Sequence, residues 1–296
     1  MSLLDKILAL FGSKRSKTSL KPTKLKERFV LETRVGQGSM SRVFRAYDRK
    51  LGRRVCLKIL DKEKTKRFEE RFVGLNKPSE GEICISLRHR NVVMTYEYGI
   101  TTEGEQFLVM ELIEGVGLNY LIETNNPQLR GKRIAYLVQA AEGLAYVHSQ
   151  GYLHRDICPR NMMVTHEGVV KLIDFGLAIP NRPEFLRPGN RTGTANYMAP
   201  ELIKRQATDL RVDLFALGVT AYETITGKLP WEATQSLQVM LSRINDPPRH
   251  PLEVRPDLDP DMVAFLLKAI ERDRNKRFQT ALEFRDALLA LPRKDY

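Results

Sequence analysis

The prevailing hydrophobic period of the chain shifts from strand to helix between Met110 and Asn119, and that shift limits its folds more than any single motif. From Phe29 to Met110 the stretches RFVLETRVGQG, SRVFRAYDRK, RRVCLKIL and EQFLVMEL carry short β-prone runs, with turn residues at Asp48–Gly52 and Glu103-Gly104. One helical interruption lies between, over about residues 62–88. Pro78 splits it, because proline removes an amide donor and clashes with the preceding turn. From about Asn119 onward helices take over. In GKRIAYLVQAAEGLAYVHSQG, Ile134, Leu137, Val138, Ala141, Leu144 and Val147 recur at helical spacing, and Gly151 supplies a stop. NMMVTHEGVVKLI predicts a hairpin turning at His166-Glu167-Gly168, and VDLFALGVTAYETITG, apolar nearly all round, predicts a buried helix. The expectation is an α+β chain whose strand-rich first lobe and helix-rich second lobe leave a cleft between them, a favoured place for ligands. At 296 residues both lobes can bury a core.

Charge divides the chain differently. The formal net charge is +12. Residues 1–28 hold eight basic side chains (Lys6, Lys14, Arg15, Lys17, Lys21, Lys24, Lys26, Arg28) against Asp5 and Glu27, so +6 of the excess sits in this short segment. It opens on MSLLDKILALFGSK, where Leu3, Leu4, Ile7, Leu8, Leu10 and Phe11 fall on one helical face, and residues 13–28 read as a basic linker. Such a helix is too short to stand alone in water. Three readings stay open for it: an anionic membrane surface, a groove on a protein partner or on the rest of the chain, or a frayed tail. Binding of nucleic acid is disfavoured, because no aromatics interleave the basic residues. No run reaches the ~20 apolar residues of a membrane span. Asp5 and Lys6 break any secretory signal, and Ser2 excludes the myristoylation motif. Cys56, Cys84 and Cys158 lie far apart, which points to a reducing, cytoplasmic setting.

The residues with chemistry come in a fixed order. VGQGSMSRV places Gly36 and Gly38 in a G-x-G loop, with Ser41 where a third glycine would stand. Glycines let backbone amides approach phosphates, yet a plain hairpin turn is equally served by them. Lys58 lies mid-strand among Val55, Leu57 and Ile59; it must snorkel to water or find an anion. In LHRDICPRNMMV, Asp156 and Asn161 stand five apart, and Asp174-Phe175-Gly176 follows the hairpin. Asn161 and Asp174 offer oxygen ligands to magnesium, and Asp156 can accept a proton from an attacking hydroxyl.

Glycine loop, strand lysine, H-R-D-x-x-x-x-N and D-F-G in this order match a catalytic signature. From about residue 29 to 292 the chain resembles the eukaryotic-type protein kinases. The resemblance implies a two-lobed kinase fold: an antiparallel sheet plus helix over residues 29–113, a mainly helical lobe over 114–292 and a tail at 293–296. It implies ATP and Mg2+ (Mn2+ as the alternative) in the cleft. Val35, Gly36, Gly38 and Val43 would cover the nucleotide, and Lys58 would hold its phosphates and pair with a helix glutamate. That glutamate is placed at Glu80, with Glu82 and Glu70 as rivals. Met110 would guard the back pocket, main-chain groups of Glu111 and Ile113 would meet adenine, and Asn161 with Asp174 would hold the metal. RTGTANYMAPE resembles the protein-substrate docking segment, with Thr194 contacting Asp156. The family further implies that Glu201 pairs with Arg277 and that Asp213 holds the backbone of the catalytic loop.

Two positions depart from the pattern. Cys158 stands where serine/threonine kinases carry a lysine, and Arg160 stands where tyrosine kinases carry an arginine. An arginine fork binds phosphate well, so Arg160 can supply the missing charge. Cys158 reads as a small packing residue; it would be reactive only if exposed. Between Asp174 and Thr194 the hydroxyl side chains are Thr192 and Thr194, so a phosphorylation switch would fall on Thr192, with Arg187 and Arg191 near; a segment that orders unmodified is the alternative. The resemblance thus implies a serine/threonine kinase acting on protein hydroxyls, its own included. A pseudokinase scaffold, or a tyrosine or dual-specificity kinase, is the alternative. A cytoplasmic place, peripheral at the membrane if residues 1–28 bind lipid, goes with it.

Overall fold

In the computed structural model, residues 21–37, 41–233, 240–241 and 244–296 are described. The amphipathic helix, the linker up to residue 20 and Gly38 lie outside the described residues.

The first lobe is built on β1 (Phe29–Gln37), β2 (Ser41–Asp48), β3 (Arg53–Leu60), β4 (Thr95–Ile100) and β5 (Gln106–Met110), in the order β1-β2-β3-β5-β4 with every pair antiparallel. Four of these strands coincide with the expected runs. β4 has no counterpart among them: Glu97 and Gly99 break its apolar alternation, and its register shifts between Thr95 and Glu97. The helical interruption is α1 (Lys62–Glu69), a 3-10 turn at Glu70–Phe72, and α2 (Glu80–Ser86), with Pro78 just ahead of α2. α2 starts at Glu80 because Ser79 and Glu82 form a capping box: Ser79 Oγ accepts from the Glu82 amide (3.2 Å) and Glu82 Oε2 accepts from the Ser79 amide (2.8 Å).

The two faces of the sheet bury different sets. Val55, Leu57 and Ile59 pack with Phe29, Ala46, Phe107 and Val109 on one face. Lys58 does not share that face, although the strand's composition implied it. Side chains alternate along a strand, so Lys58 points with Cys56 and Leu60 to the other side, toward α2.

The second lobe holds β6 (Gly115–Gly117), α3 (Leu118–Glu123), α4 (Arg133–Ser149), β7 (Tyr152–Leu153), the hairpin β8 (Met162–Thr165) and β9 (Val170–Leu172), β10 (Ile179–Pro180), α5 (Pro200–Ile203), α6 (Arg211–Thr226), α7 (Pro251–Val254), α8 (Pro260–Ala269) and α9 (Ala281–Ala290). α4 stops before Gly151 and α6 at Gly227, both left-handed, at φ +80° and +77°. α6 is buried on every side from Val212 to Tyr222, as its composition requires. A single core runs from Ile83, Leu87 and Leu108 in the first lobe to Leu137, Leu144, Leu217 and Leu266 in the second. The lobes are also laced by backbone: the Val93 amide donates to Leu172 O and the Leu172 amide to Asn91 O, each at 2.9 Å.

Both ends of the described chain are anchored. Residues 21–28, read as linker, lie on the sheet: the Thr23 amide donates to Ile100 O (2.9 Å), and Arg28 binds Asp48 and Glu97 together, at 2.8 and 2.6 Å. Tyr296 is buried, and its carbonyl accepts from the Gly131 amide. Among the described residues no helix is long and apolar enough to cross a membrane.

Candidate active site

The cleft gathers side chains from elements far apart in the chain. Lys58 Nζ, on β3, donates to Glu80 Oε1 on α2 (2.6 Å) and to Asp174 Oδ1 beyond β9 (2.8 Å). Glu80 takes this place; Glu82 is occupied by the capping box and Glu70 lies in the 3-10 turn. Lys58 is 5% exposed. Burial would lower its pKa, but the charges of Asp174 and Glu80 outweigh burial and hold it above the ordinary lysine value. Burial likewise works against ionisation of Asp174, and Lys58 with the Gly176 amide overcomes it, so that carboxyl stays below the usual range. Glu80 is pushed up by burial in spite of Lys58. Two carboxylates therefore share one ammonium, and the better ionised one is Asp174, whose side chain remains 39% exposed.

The catalytic-loop side of the cleft is held from below. Asp213, at the start of α6, accepts the amides of His154 and Arg155 at 2.8 Å each and His148 Nε2 at 3.0 Å. Burial opposes its charge, yet His148 and the His154 amide keep its pKa low. These bonds hold Arg155 in the left-handed region, at φ +68°, a conformation costing a non-glycine residue of order 1–3 kcal/mol. Asp174 is held similarly, at φ +62°. The buried His154 ties the two strained points together. Its Nδ1 accepts the Asp156 amide (3.3 Å), its Nε2 donates to Ile173 O (3.2 Å), and its ring packs on Phe175 at 4.7 Å.

Asp156 is ringed by donors. Oδ1 accepts the Thr194 amide (2.8 Å) and hydroxyl (2.7 Å), and Oδ2 accepts Asn161 Nδ2 (2.8 Å). Asn161 Nδ2 also donates to Asp156 O. The amide nitrogen is thus spent on Asp156, which leaves the Asn161 carbonyl oxygen for a cation. With the half-open Asp174 carboxylate, it forms a hard-oxygen donor set of the kind magnesium takes when phosphates complete its shell.

The other sequence candidates fall around this centre. Met110 is buried, paired with Cys56 across β3–β5 and with Thr95 across β4–β5. The Glu111 amide donates to Met94 O, and its carboxylate binds the Met94 amide and Lys171 Nζ, each at 2.7 Å. Val43 pairs with Gly36 and Lys58, Val35 is exposed, and Ile113 is half-buried. Arg277 meets Glu201 in a bidentate pair of 2.7 and 2.8 Å, away from the cleft under α5 and α6. Cys158 is buried, its Sγ 3.9 Å from Thr194 Oγ1, and burial beside Asp156 pushes its thiol up to about 12. It is a packing residue here. Arg160 is exposed and lends positive charge to Glu223, which bonds the Tyr197 hydroxyl.

Sequence reasoning missed Lys171, Tyr197, Glu223 and the support of α2. The S-x-x-E pattern at Ser79 and Glu82 was visible, and would have fixed the helix register and chosen Glu80 without the rivals.

A family model for the protein kinase domain matches residues 29–287. The chain belongs to the protein kinase family. Its similar relatives include a probable serine/threonine-protein kinase of Clostridium acetobutylicum, 33% identical over 268 residues and covering 90% of this chain and 40% of the relative. Another, of Streptomyces coelicolor, is 32% identical over 272 residues, covering 89% and 40%. Serine/threonine-protein kinase PknB of Mycobacterium tuberculosis is 31% identical over 276 residues, covering 90% and 43%. The chain therefore spans about two fifths of the length of the curated relatives it matches. Protein kinases use ATP and a divalent metal and act on proteins, and the oxygen donors of Asn161 and Asp174 suit a divalent metal.

Proposed function

We propose that this protein kinase is a serine/threonine kinase that transfers the γ-phosphate of ATP, with Mg2+ as its cation, to protein hydroxyls including its own. One observation carries the reading: Lys58 Nζ donates both to Glu80 Oε1 (2.6 Å) and to Asp174 Oδ1 (2.8 Å). When bound, the magnesium-nucleotide supplies the group to be moved. Lys58 steadies its phosphates, Asn161 and Asp174 offer oxygens to the metal, and Asp156 orients the attacking hydroxyl and accepts its proton. The Thr194 hydroxyl on Asp156 Oδ1 supports preference for serine and threonine. Arg160 supplies the positive charge that Cys158 lacks. The test is transfer from labelled ATP to the chain and to basic proteins, with Asp156→Asn and Asp174→Ala as controls, followed by phosphoamino-acid identification. Phosphotyrosine alone overturns the residue preference; nucleotide binding with no transfer makes the chain a pseudokinase.

A switch at Thr192 has its own support. The Thr192 hydroxyl and Arg155 Nε are both buried without a hydrogen-bond partner among the described residues. Burial and the neighbouring Arg71 charge lower the Arg155 pKa to about 10, against the pull of Asp213. Arg71, Arg191 and Arg205 line a cavity of about 420 Å³ under the same segment, where a phosphate would find partners. Arg187, Arg155 and Thr192 itself are not among its lining residues, so a phosphate on Thr192 would have to turn toward it. Unchanged activity in Thr192→Ala removes the switch.

Residues 1–28, with their basic excess, carry the proposed contact to an anionic membrane or a protein partner of a cytoplasmic enzyme. Sedimentation with anionic vesicles, with and without that segment, decides between them.

A further inference from the structure

α2 sits closer to the sheet than a helix with a side chain at every position can. A Cβ built on Gly81 would lie 2.6 Å from Cγ and Cδ2 of Tyr98 and 2.7 Å from its Cβ. Ordinary contact begins near 3.4 Å. Two of these three atoms form the root of the side chain, which no rotation of the ring carries away. Tyr98 itself is fixed in β4 by its pairing with Leu108 of β5. The glycine is not required by its dihedral: Gly81 lies within regular helix and is not among the glycines of positive φ. Alanine would be the better helix former there. What the position requires is the absence of a Cβ.

Gly81 follows Glu80 directly in α2, so a displacement at residue 81 is carried to Glu80. A Cβ at residue 81 would therefore push the helix away from β4 by about 1 Å, as overpacking of a tight contact does. The 2.6 Å bond from Lys58 to Glu80 would then stretch beyond hydrogen-bond range. Glu80 Oε2 also lies beside Gly176, 3.3 Å from where a Cβ there would stand, so the retreat would loosen the packing against the Asp174-Phe175-Gly176 turn as well.

We infer that the contact of Gly81 with Tyr98 is the seat that sets the depth of α2, and that Gly81 is a positioning residue for phosphoryl transfer through Glu80 and Lys58. The inference rests on the kinase reading above. The experiment compares the full chain with Gly81→Ala, Tyr98→Ala and the double variant. It measures kcat, KM for ATP, and amide hydrogen exchange of Glu80–Ser86 without nucleotide. Gly81→Ala is expected to lose ten- to a hundredfold in kcat/KM, with KM for ATP raised, and to speed exchange in α2. Tyr98→Ala, which removes the wall of the seat, should fall between the parent and Gly81→Ala. The double variant should recover at least tenfold over Gly81→Ala, since the room for a Cβ is then present. A Gly81→Ala chain equal to the parent in rate and exchange overturns the inference, and so does a double variant no better than Gly81→Ala. If Gly81→Ala does not fold, the double variant is compared with Tyr98→Ala: equality supports the seat, and a further tenfold loss overturns it. A parent that transfers no phosphate sinks the kinase reading instead, and the exchange data still decide the seat.

Discussion

Two of the buried ion pairs, Arg277 with Glu201 and Lys58 with Glu80 and Asp174, are built for different work. Arg277 gives Glu201 a bidentate pair, donates further to the carbonyls of Glu271, Arg272 and Arg211, and lies over the Phe215 ring at 4.7 Å. Nearly every donor of the guanidinium is spoken for, so the pair has one geometry. Lys58 instead divides a single ammonium between Glu80 and Asp174, and reaches each through one short bond. One of its partners is only 39% exposed yet open to the cleft, and the other rides on a seven-residue helix. A saturated arginine fixes the platform; a shared lysine can exchange a carboxylate for phosphate. The lesson is that burial and ion pairing alone do not tell a structural pair from a working one. The count of satisfied donors does.

Five measurements sharpen or break that contrast. The largest effect is expected from Asp156→Asn, which should lower kcat by about 10³ while leaving the melting temperature nearly unchanged, because proton acceptance contributes 10²–10⁴ in such reactions. Lys58→Met comes next: a rate loss of roughly 10² with a shift of only a few degrees in melting, since burial already inclines Glu80 toward its neutral form. Arg277→Met should do the reverse. It strands the buried Glu201, a cost of ~3–5 kcal/mol, and should lower melting by roughly 10 °C. Equal melting losses in the last two variants would erase the distinction drawn here.

The pH dependence of melting is the fourth check. Asp174 and Asp213 both have folded pKa values below their unfolded ones. Their contribution is complete above the unfolded value of ~3.9 and is lost as pH falls through the folded values. Stability should therefore be insensitive to these groups at neutral pH and decline below about pH 4, and Asp213→Asn should flatten the decline. The smallest effect belongs to Cys158→Ala, expected within threefold of the parent rate. A thiol reagent should leave the native Cys158 untouched until the chain unfolds, since burial keeps its proton on. Rapid native labelling at Cys158 would contradict the packing role.

Much of this was legible from residues alone. The strands β1, β2, β3 and β5 announce themselves through β-branched runs between turns, and α6 through its unbroken apolarity. The spacing of Lys58, Asp156, Asn161 and Asp174 carries its own chemistry. What escaped did so for physical reasons. β4 hides because Glu97 turns to Arg28 and Gly99 makes room for the Phe107 ring, and both interrupt the alternation a strand would show. The face of Lys58 was misjudged because composition was read where parity decides. Gly81 left no trace: a glycine within a helix looks like a weak point until the ring beside it is seen. Lys171, on a strand facing the chain's own crossover between lobes, reads as an ordinary surface lysine until Glu111 is placed opposite.

The clasp at the start of the described chain has a mechanical consequence. Thr23 is moored to the end of β4, and Arg28 grips Glu97 in the middle of that strand. Any tug on the chain ahead of residue 21 is delivered first to β4, the strand against which α2 leans. A load or a landing upstream has a short, stiff lever to the lysine in the cleft.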